Sequence, residues 1–132
     1  MQRDELIKKY VNRIVPKKFT YDLINTTCRN LIEDIKAAYP NSDLHFEIFY
    51  DSGIYKILAP ENKCISLVLQ DNDTKISIRN VKGTSILSEY ILTFDGVSYT
   101  IENSNTNIVN KFSRIQDAIE MAIFTILLEL PY

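Results

Sequence analysis

Residues 113–130, SRIQDAIEMAIFTILLEL, place Ile115, Ala118, Ile119, Ala122, Ile123, Ile126, Leu127 and Leu130 at the spacing that gathers side chains on one helical face. Ser113 followed by Gln116 matches a capping box, which predicts a helix start at Ser113, and Pro131 predicts its end. Fully burying the six large members of this stripe is worth on the order of 10 kcal/mol gross, as an upper bound. No other segment offers as much, so the chain must supply a surface broad enough to receive it.

That surface is a sheet. From residue 44 the hydrophobic period changes from 3.6 to 2, with turn residues about every ten positions, which predicts consecutive antiparallel strands. The first runs over 44–50, where Leu44, Phe46, Ile48 and Tyr50 alternate with His45, Glu47 and Phe49. Five more follow, separated by Asp51-Ser52-Gly53, Pro60 to Lys63, Asp71 to Thr74, Gly83 and its neighbours, and Asp95-Gly96. Asp95-Gly96 predicts a two-residue type I′ hairpin with both residues at positive φ, and a sixth strand from Val97. Residues 103–110, NSNTNIVN, read as a loop. Upstream lie two helices. Residues 4–15 carry Leu6, Ile7, Tyr10, Val11 and Ile14 on one side, and Thr20 caps a second helix with the stripe Ile24, Cys28, Leu31, Ile35 and Tyr39, widened by Leu23 and Ile32. The expectation is one α+β domain over 1–132, a two-layer fold in which an antiparallel meander of about six strands is covered by the C-terminal helix and an N-terminal helix pair.

Composition narrows the function classes. The formal charge of −2 favours neither nucleic acid nor membrane, and no apolar run approaches the ~20 residues that span a bilayer. With no charged-then-apolar leader, a cytoplasmic location is expected. Residues 1–40 carry +3 and residues 41–132 carry −5, a basic head on an acidic body. Cys28 and Cys64 are too few and too far apart for a disulfide framework or a metal cluster, and both read as reduced and buried.

Catalysis needs convergent groups, and His45 is the one histidine. Cys28 falls inside an apolar stripe and Cys64 begins a strand, both ordinary settings for inert sulfur. Asp71-Asn72-Asp73 lacks the glycine and remaining ligands of a calcium loop and reads as a turn. No phosphate-cradling loop, HExxH, GxSxG or CxxC occurs. No catalytic residue, cofactor or metal is therefore expected. The basic cluster Lys8, Lys9, Arg13, Lys17 and Lys18 reads as a solvated helix face rather than a phosphate site, because the acidic remainder would repel a polyanion.

Binding to another protein is what remains. Met121, Phe124 and Leu128 repeat on the side of the last helix away from its main stripe; contact with the second helix is expected to bury them, and otherwise they form a self-interface for a homodimer. Residues 86–130, a hairpin feeding an amphipathic helix, give the chain the general layout of small bacterial toxin-immunity proteins, which it resembles. The resemblance implies an acidic docking surface and a toxin neutralised by direct binding, and transfers no specific residues. Under it, Asp71, Asp73, Asp95 and Glu102, near strand ends, would face a basic cleft. Two alternatives are a dimeric chaperone for a secreted effector, with Phe49 among the residues that hold a client strand, and a phage or mobile-element anti-defence protein acting on a nuclease.

Overall fold

The computed structural model describes residues 2–41 and 43–129. Helices α1 (Arg3–Ile14) and α2 (Tyr21–Ala38) precede seven strands: β1 (Glu47–Asp51), β2 (Ile54–Ala59), β3 (Lys63–Gln70), β4 (Lys75–Lys82), β5 (Ser85–Phe94), β6 (Tyr99–Asn103) and β7 (Val109–Phe112). Helix α3 (Ile115–Leu128) follows. The strands form one antiparallel sheet in sequence order, so the fold is α+β with every sheet neighbour reached by a short turn. The turns β1–β2, β3–β4 and β5–β6 consequently share one end of the sheet.

Alternation along the strands builds the core. Ile65 and Leu67 of β3, Ile76 and Ile78 of β4, Tyr90 and Leu92 of β5, and Tyr99 and Ile101 of β6 all point to the helix-covered face. Over them lie Ile24, Cys28, Leu31 and Ile32 of α2 and the stripe Ile115, Ala118, Ile119, Ala122, Ile123 and Ile126 of α3, as the spacing predicts. Leu127 is half-buried, while Leu130 and the expected stop at Pro131 lie outside the described residues. Thr20 caps α2 as expected, its Oγ1 accepting the Leu23 N–H at 3.2 Å. Tyr39, placed in that stripe by spacing, instead follows the helix and is exposed.

Several expectations are corrected. A seventh strand exists because the asparagines form a tight turn rather than a loop. The Asn103 carboxamide oxygen accepts the Asn105 and Thr106 N–H groups, Asn107 adopts φ 60° and donates its N–H to the Asn103 carbonyl, and residues 109–112 are thereby delivered against β6. At Asp95-Gly96 only Gly96 has positive φ. Asp95 Oδ1 accepts the Val97 and Ser98 N–H groups at 2.8 and 2.7 Å, closing a longer turn, so β6 begins at Tyr99 and not at Val97. The capping box is not formed either: Arg114 is the residue before α3, and no side chain caps it. The first strand starts at Glu47 rather than residue 44.

The largest correction concerns the helix layer. Only α2 and α3 cover the sheet; α1 contains no buried residue and lies beside the β5–β6 hairpin. Asn12 Nδ2 donates to the Phe94 carbonyl at 3.0 Å, and Lys9 pairs with Asp95 at 3.9 Å.

Candidate protein-binding groove

Between the first half of α2 and β1, which is an edge strand, runs a groove of about 470 Å³. Tyr21, Asp22, Asn25 and Arg29 line it from the helix, and Ile48, Tyr50 and Tyr55 from the sheet. The helical period puts 21, 25 and 29 on one side of α2. The strand period brings Ile48 and Tyr50 up beside them, with Tyr55 opposite Tyr50 in the β1–β2 register. A smaller groove of about 220 Å³ continues along the same seam past Ile48 to Phe46, Glu33 and Lys36, with Arg29 shared between the two.

The side chains are held in place from below. The Tyr21 hydroxyl donates to the Gly53 carbonyl and accepts the Leu69 N–H at 3.1 Å, which ties α2 to the β1–β2 turn and to the end of β3. Its ring meets that of Tyr50 edge-on, with centroids 4.8 Å apart. The Tyr55 hydroxyl donates to Asn25 Oδ1 at 2.8 Å, and the same oxygen accepts Arg29 Nε at 2.9 Å. Burial raises the Tyr55 pKa, so its hydroxyl stays protonated and donating. Arg29 is exposed, and its guanidinium is anchored to Asn25 through Nε.

The backbone of β1 is open on the far side from β2. The Ser52-Gly53 turn, both residues at positive φ, makes Asp51 and Ile54 the closing pair, so by alternation Ile48 and Tyr50 direct their N–H and C=O groups outward. The residues that offer side chains to the groove therefore also offer an unpaired strand edge, flanked by the exposed Phe49.

The anticipated site residues divide. Asp71 and Asp73 occupy the β3–β4 turn and Asp95 the β5–β6 turn, at the same end of the sheet as Asp51 and the mouth of the groove. Asp71 pairs with Lys75 at 3.1 Å, and the Asp73 carbonyl accepts the Phe19 N–H at 2.7 Å. Burial pushes the Asp95 pKa up, but hydrogen bonds from Ser98 and Val97 and the charges of Lys9 and Lys111 outweigh it and hold the carboxyl below its ordinary value. Glu102 is not with them: it lies near the opposite end of β6, between Ile91 and Val109. Met121, Phe124 and Leu128 are 43%, 39% and 81% exposed, so the expected burial against α2 does not occur. Met121 shares a cavity of about 190 Å³ with Ile108.

The groups considered for catalysis stay apart. Burial pushes the Cys28 thiol up to about 12 and raises that of Cys64, which is half-buried rather than buried, and both are free. His45 is exposed beside Glu47 at 2.8 Å. Among the described residues no group of three or more metal-ligating side chains gathers, and no helix is long and apolar enough to cross a membrane.

Sequence reasoning missed Asn25, Arg29, Tyr50 and Tyr55 as a unit, because they come from a helix and a hairpin some twenty residues apart. The one available signal was the recurrence of tyrosine at 21, 50 and 55 beside an arginine, the residue types that anchor protein interfaces. Comparison with protein-family models, with characterised proteins and with solved structures returned no match.

Proposed function

We propose that this chain is a non-catalytic protein-binding module that neutralises a toxin by direct binding, in the manner of an immunity protein. The observation that carries the reading is the groove itself: the exposed Tyr50 and Arg29 and the half-buried Tyr21, set over the buried Tyr55 by hydrogen bonds and an edge-on ring contact, lie beside an unpaired strand edge. Tyrosine and arginine dominate interface energetics because they bury large, rigid surface while keeping a polar handle. Asp22, Asp51, Asp71 and Asp73 lie on or beside its turn end, so the rim is acidic and suits a partner with a basic cleft. Such a rim speeds association, while the aromatic centre sets the dissociation rate.

The test uses the product of a toxin-like reading frame adjacent to that of this chain. Co-expression restores growth, and Tyr50→Ala or Arg29→Ala raises the Kd by about tenfold or more. Unchanged affinity in both variants removes the groove from the interface.

A dimeric chaperone is the second reading, favoured by the exposure of Met121, Phe124 and Leu128 on one helix. Under it these residues form the seam between two copies. Light scattering across a range of concentrations then gives a dimer that the triple change to Ser dissociates; a monomer at every concentration sinks it.

A further inference from the structure

Helix α1 is docked the wrong way round for an ordinary amphipathic helix. Its half-buried residues are Glu5, Lys9 and Asn12, at i, i+4 and i+7, and through this polar stripe it meets the β5–β6 hairpin. The contact is close: a Cβ on Gly96 would lie 2.5 Å from the Lys8 carbonyl oxygen. The apolar stripe of Leu6, Ile7, Tyr10, Val11 and Ile14 is 45–64% exposed, and Val15 extends it. Ile7, Val11 and Val15 line a groove of about 340 Å³ with Phe94 and Gly96 along one edge of the helix, while Leu6, Tyr10 and Ile14 stand open on the side away from it.

What covers it must suit its charge. Residues 2–18 hold Arg3, Lys8, Lys9, Arg13, Lys17 and Lys18 against Asp4 and Glu5, a net +4, while the rest of the chain carries −6. Lys9 is engaged with Asp95, and Lys17 donates to the Tyr99 hydroxyl and lies over the Phe94 and Tyr99 rings. Lys8 and Arg13 remain exposed on the two flanks of the apolar stripe, and Lys18 stands exposed just beyond its end. A nucleic acid would use these cations and leave the stripe in water. A second copy would set +4 against +4 along a helix only about 18 Å long, too short a seam alone for the ~1,200 Å² of a stable dimer.

We propose that α1 is an interfacial anchor that lays its apolar face into an anionic lipid surface. The stripe would enter the headgroup boundary with the Tyr10 ring at its centre, and Lys8 and Arg13 would reach up to lipid phosphates on either side. The orientation of the docked helix suits this. Asp95, paired with Lys9 on the inner side of α1, lies behind a cylinder about 10 Å across, which is roughly one Debye length at physiological ionic strength. The same contacts that expose the stripe thus hold this carboxylate away from the lipid.

The full chain is sedimented with vesicles of phosphatidylcholine alone and of phosphatidylcholine mixed with phosphatidylglycerol, at low and physiological salt. Binding is expected to the mixed vesicles and to weaken with salt. Lys8→Gln with Arg13→Gln should lower the partition coefficient by roughly fivefold per charge, and Tyr10→Ser with Ile14→Ser by at least about tenfold. None of these residues is buried, and an unchanged unfolding transition checks that each variant is folded. No binding to the mixed vesicles at low salt overturns the proposal. So does binding that survives Tyr10→Ser with Ile14→Ser, which marks simple charge attraction, or a dimer that those changes dissociate in the absence of lipid.

Discussion

Helices α1 and α3 carry apolar stripes of the same spacing and have opposite fates. In α3 six stripe residues are buried against the sheet; in α1 none is. The difference does not lie in the pattern. Alongside α3 runs a broad face of alternating Ile, Leu and Tyr from four strands, whereas α1 reaches only a hairpin whose nearest groups are a main-chain carbonyl, a carboxylate and a glycine. A polar stripe at Glu5, Lys9 and Asn12 has the same helical period as the apolar one, and it is the polar stripe that finds complementary groups. Periodicity establishes that a helix has two faces; what stands next to it decides which face turns inward.

The largest effect that sharpens this contrast is the loss of a core methyl cluster from one helix and not the other. Ile119→Ala should cost about 2–5 kcal/mol, because the site is closed on all sides and cannot collapse around the cavity. Ile14→Ala should move stability by no more than about 0.5 kcal/mol. Urea unfolding measures both, and equal losses would show that α1 is packed after all.

Next comes the end of α3. Lys63 is buried, and its ammonium donates to the Ile126, Leu127 and Glu129 carbonyls, the groups that a helix C-terminus leaves open. The Glu129 carboxylate in turn accepts from Asn80 Nδ2 at 2.7 Å, from Ser88 Oγ and from the Tyr90 hydroxyl at 3.0 Å. Burial, then the bond and charge of Glu129, push the Tyr90 pKa up to about 12. Lys63→Met should cost about 1–3 kcal/mol by leaving carbonyls unpaired, and amide exchange should quicken in the last turn of α3. Helix α1, capped by no comparable side chain, should not respond.

These cases mark where the sequence was legible. The α3 stripe, the Thr20 cap and the strand alternation could be read because each depends on neighbours in the chain. The fold class followed, as did the places of five turns, although the one at Asp95-Gly96 is longer than a two-residue hairpin. The Lys63 ammonium looked like a turn residue, since its three acceptors lie more than sixty positions away. The groove was hidden for the same reason, being assembled from residues 21–29 and 48–55 by the register of β1 on β2. The seventh strand was hidden by composition: four asparagines in eight residues suggest a loop, and only their hydrogen bonds make them a hairpin.

A smaller effect separates the docking of α1 from the stability of the core. Gly96 sits at φ +99°, and a side chain there would collide with the Lys8 carbonyl. Gly96→Ala should cost about 1–2 kcal/mol in backbone strain and lift α1 from the hairpin. Proteolysis within residues 3–14 should then become faster, while exchange in the α3 stripe should keep its wild-type order relative to global unfolding. If α1 stays protected, the Gly96 contact does not hold it.

The smallest effect is the pH response of the same joint. The Asp95 carboxyl is held below its ordinary value of 3.8, so its contribution is fully present above that value and is lost as pH falls through the lower folded pKa. Protonation weakens the bonds from Val97 and Ser98 and ends the pairing with Lys9, so acid should loosen the hairpin turn and α1 together, ahead of α3. Asp95→Asn keeps an oxygen for the two N–H groups and removes only the charge. Because the Lys9 pair is partly solvated, the variant should lose a few tenths of a kcal/mol. NMR amide shifts of residues 9–12 would report it: in the wild type they should move with pH below 3.8 by more than they do in the variant. Amides of α3 moving in the same range, or α1 amides that titrate identically in both proteins, would mean that the joint is held by Asn12 and the close backbone contact at Gly96 alone, with the ion pair a bystander.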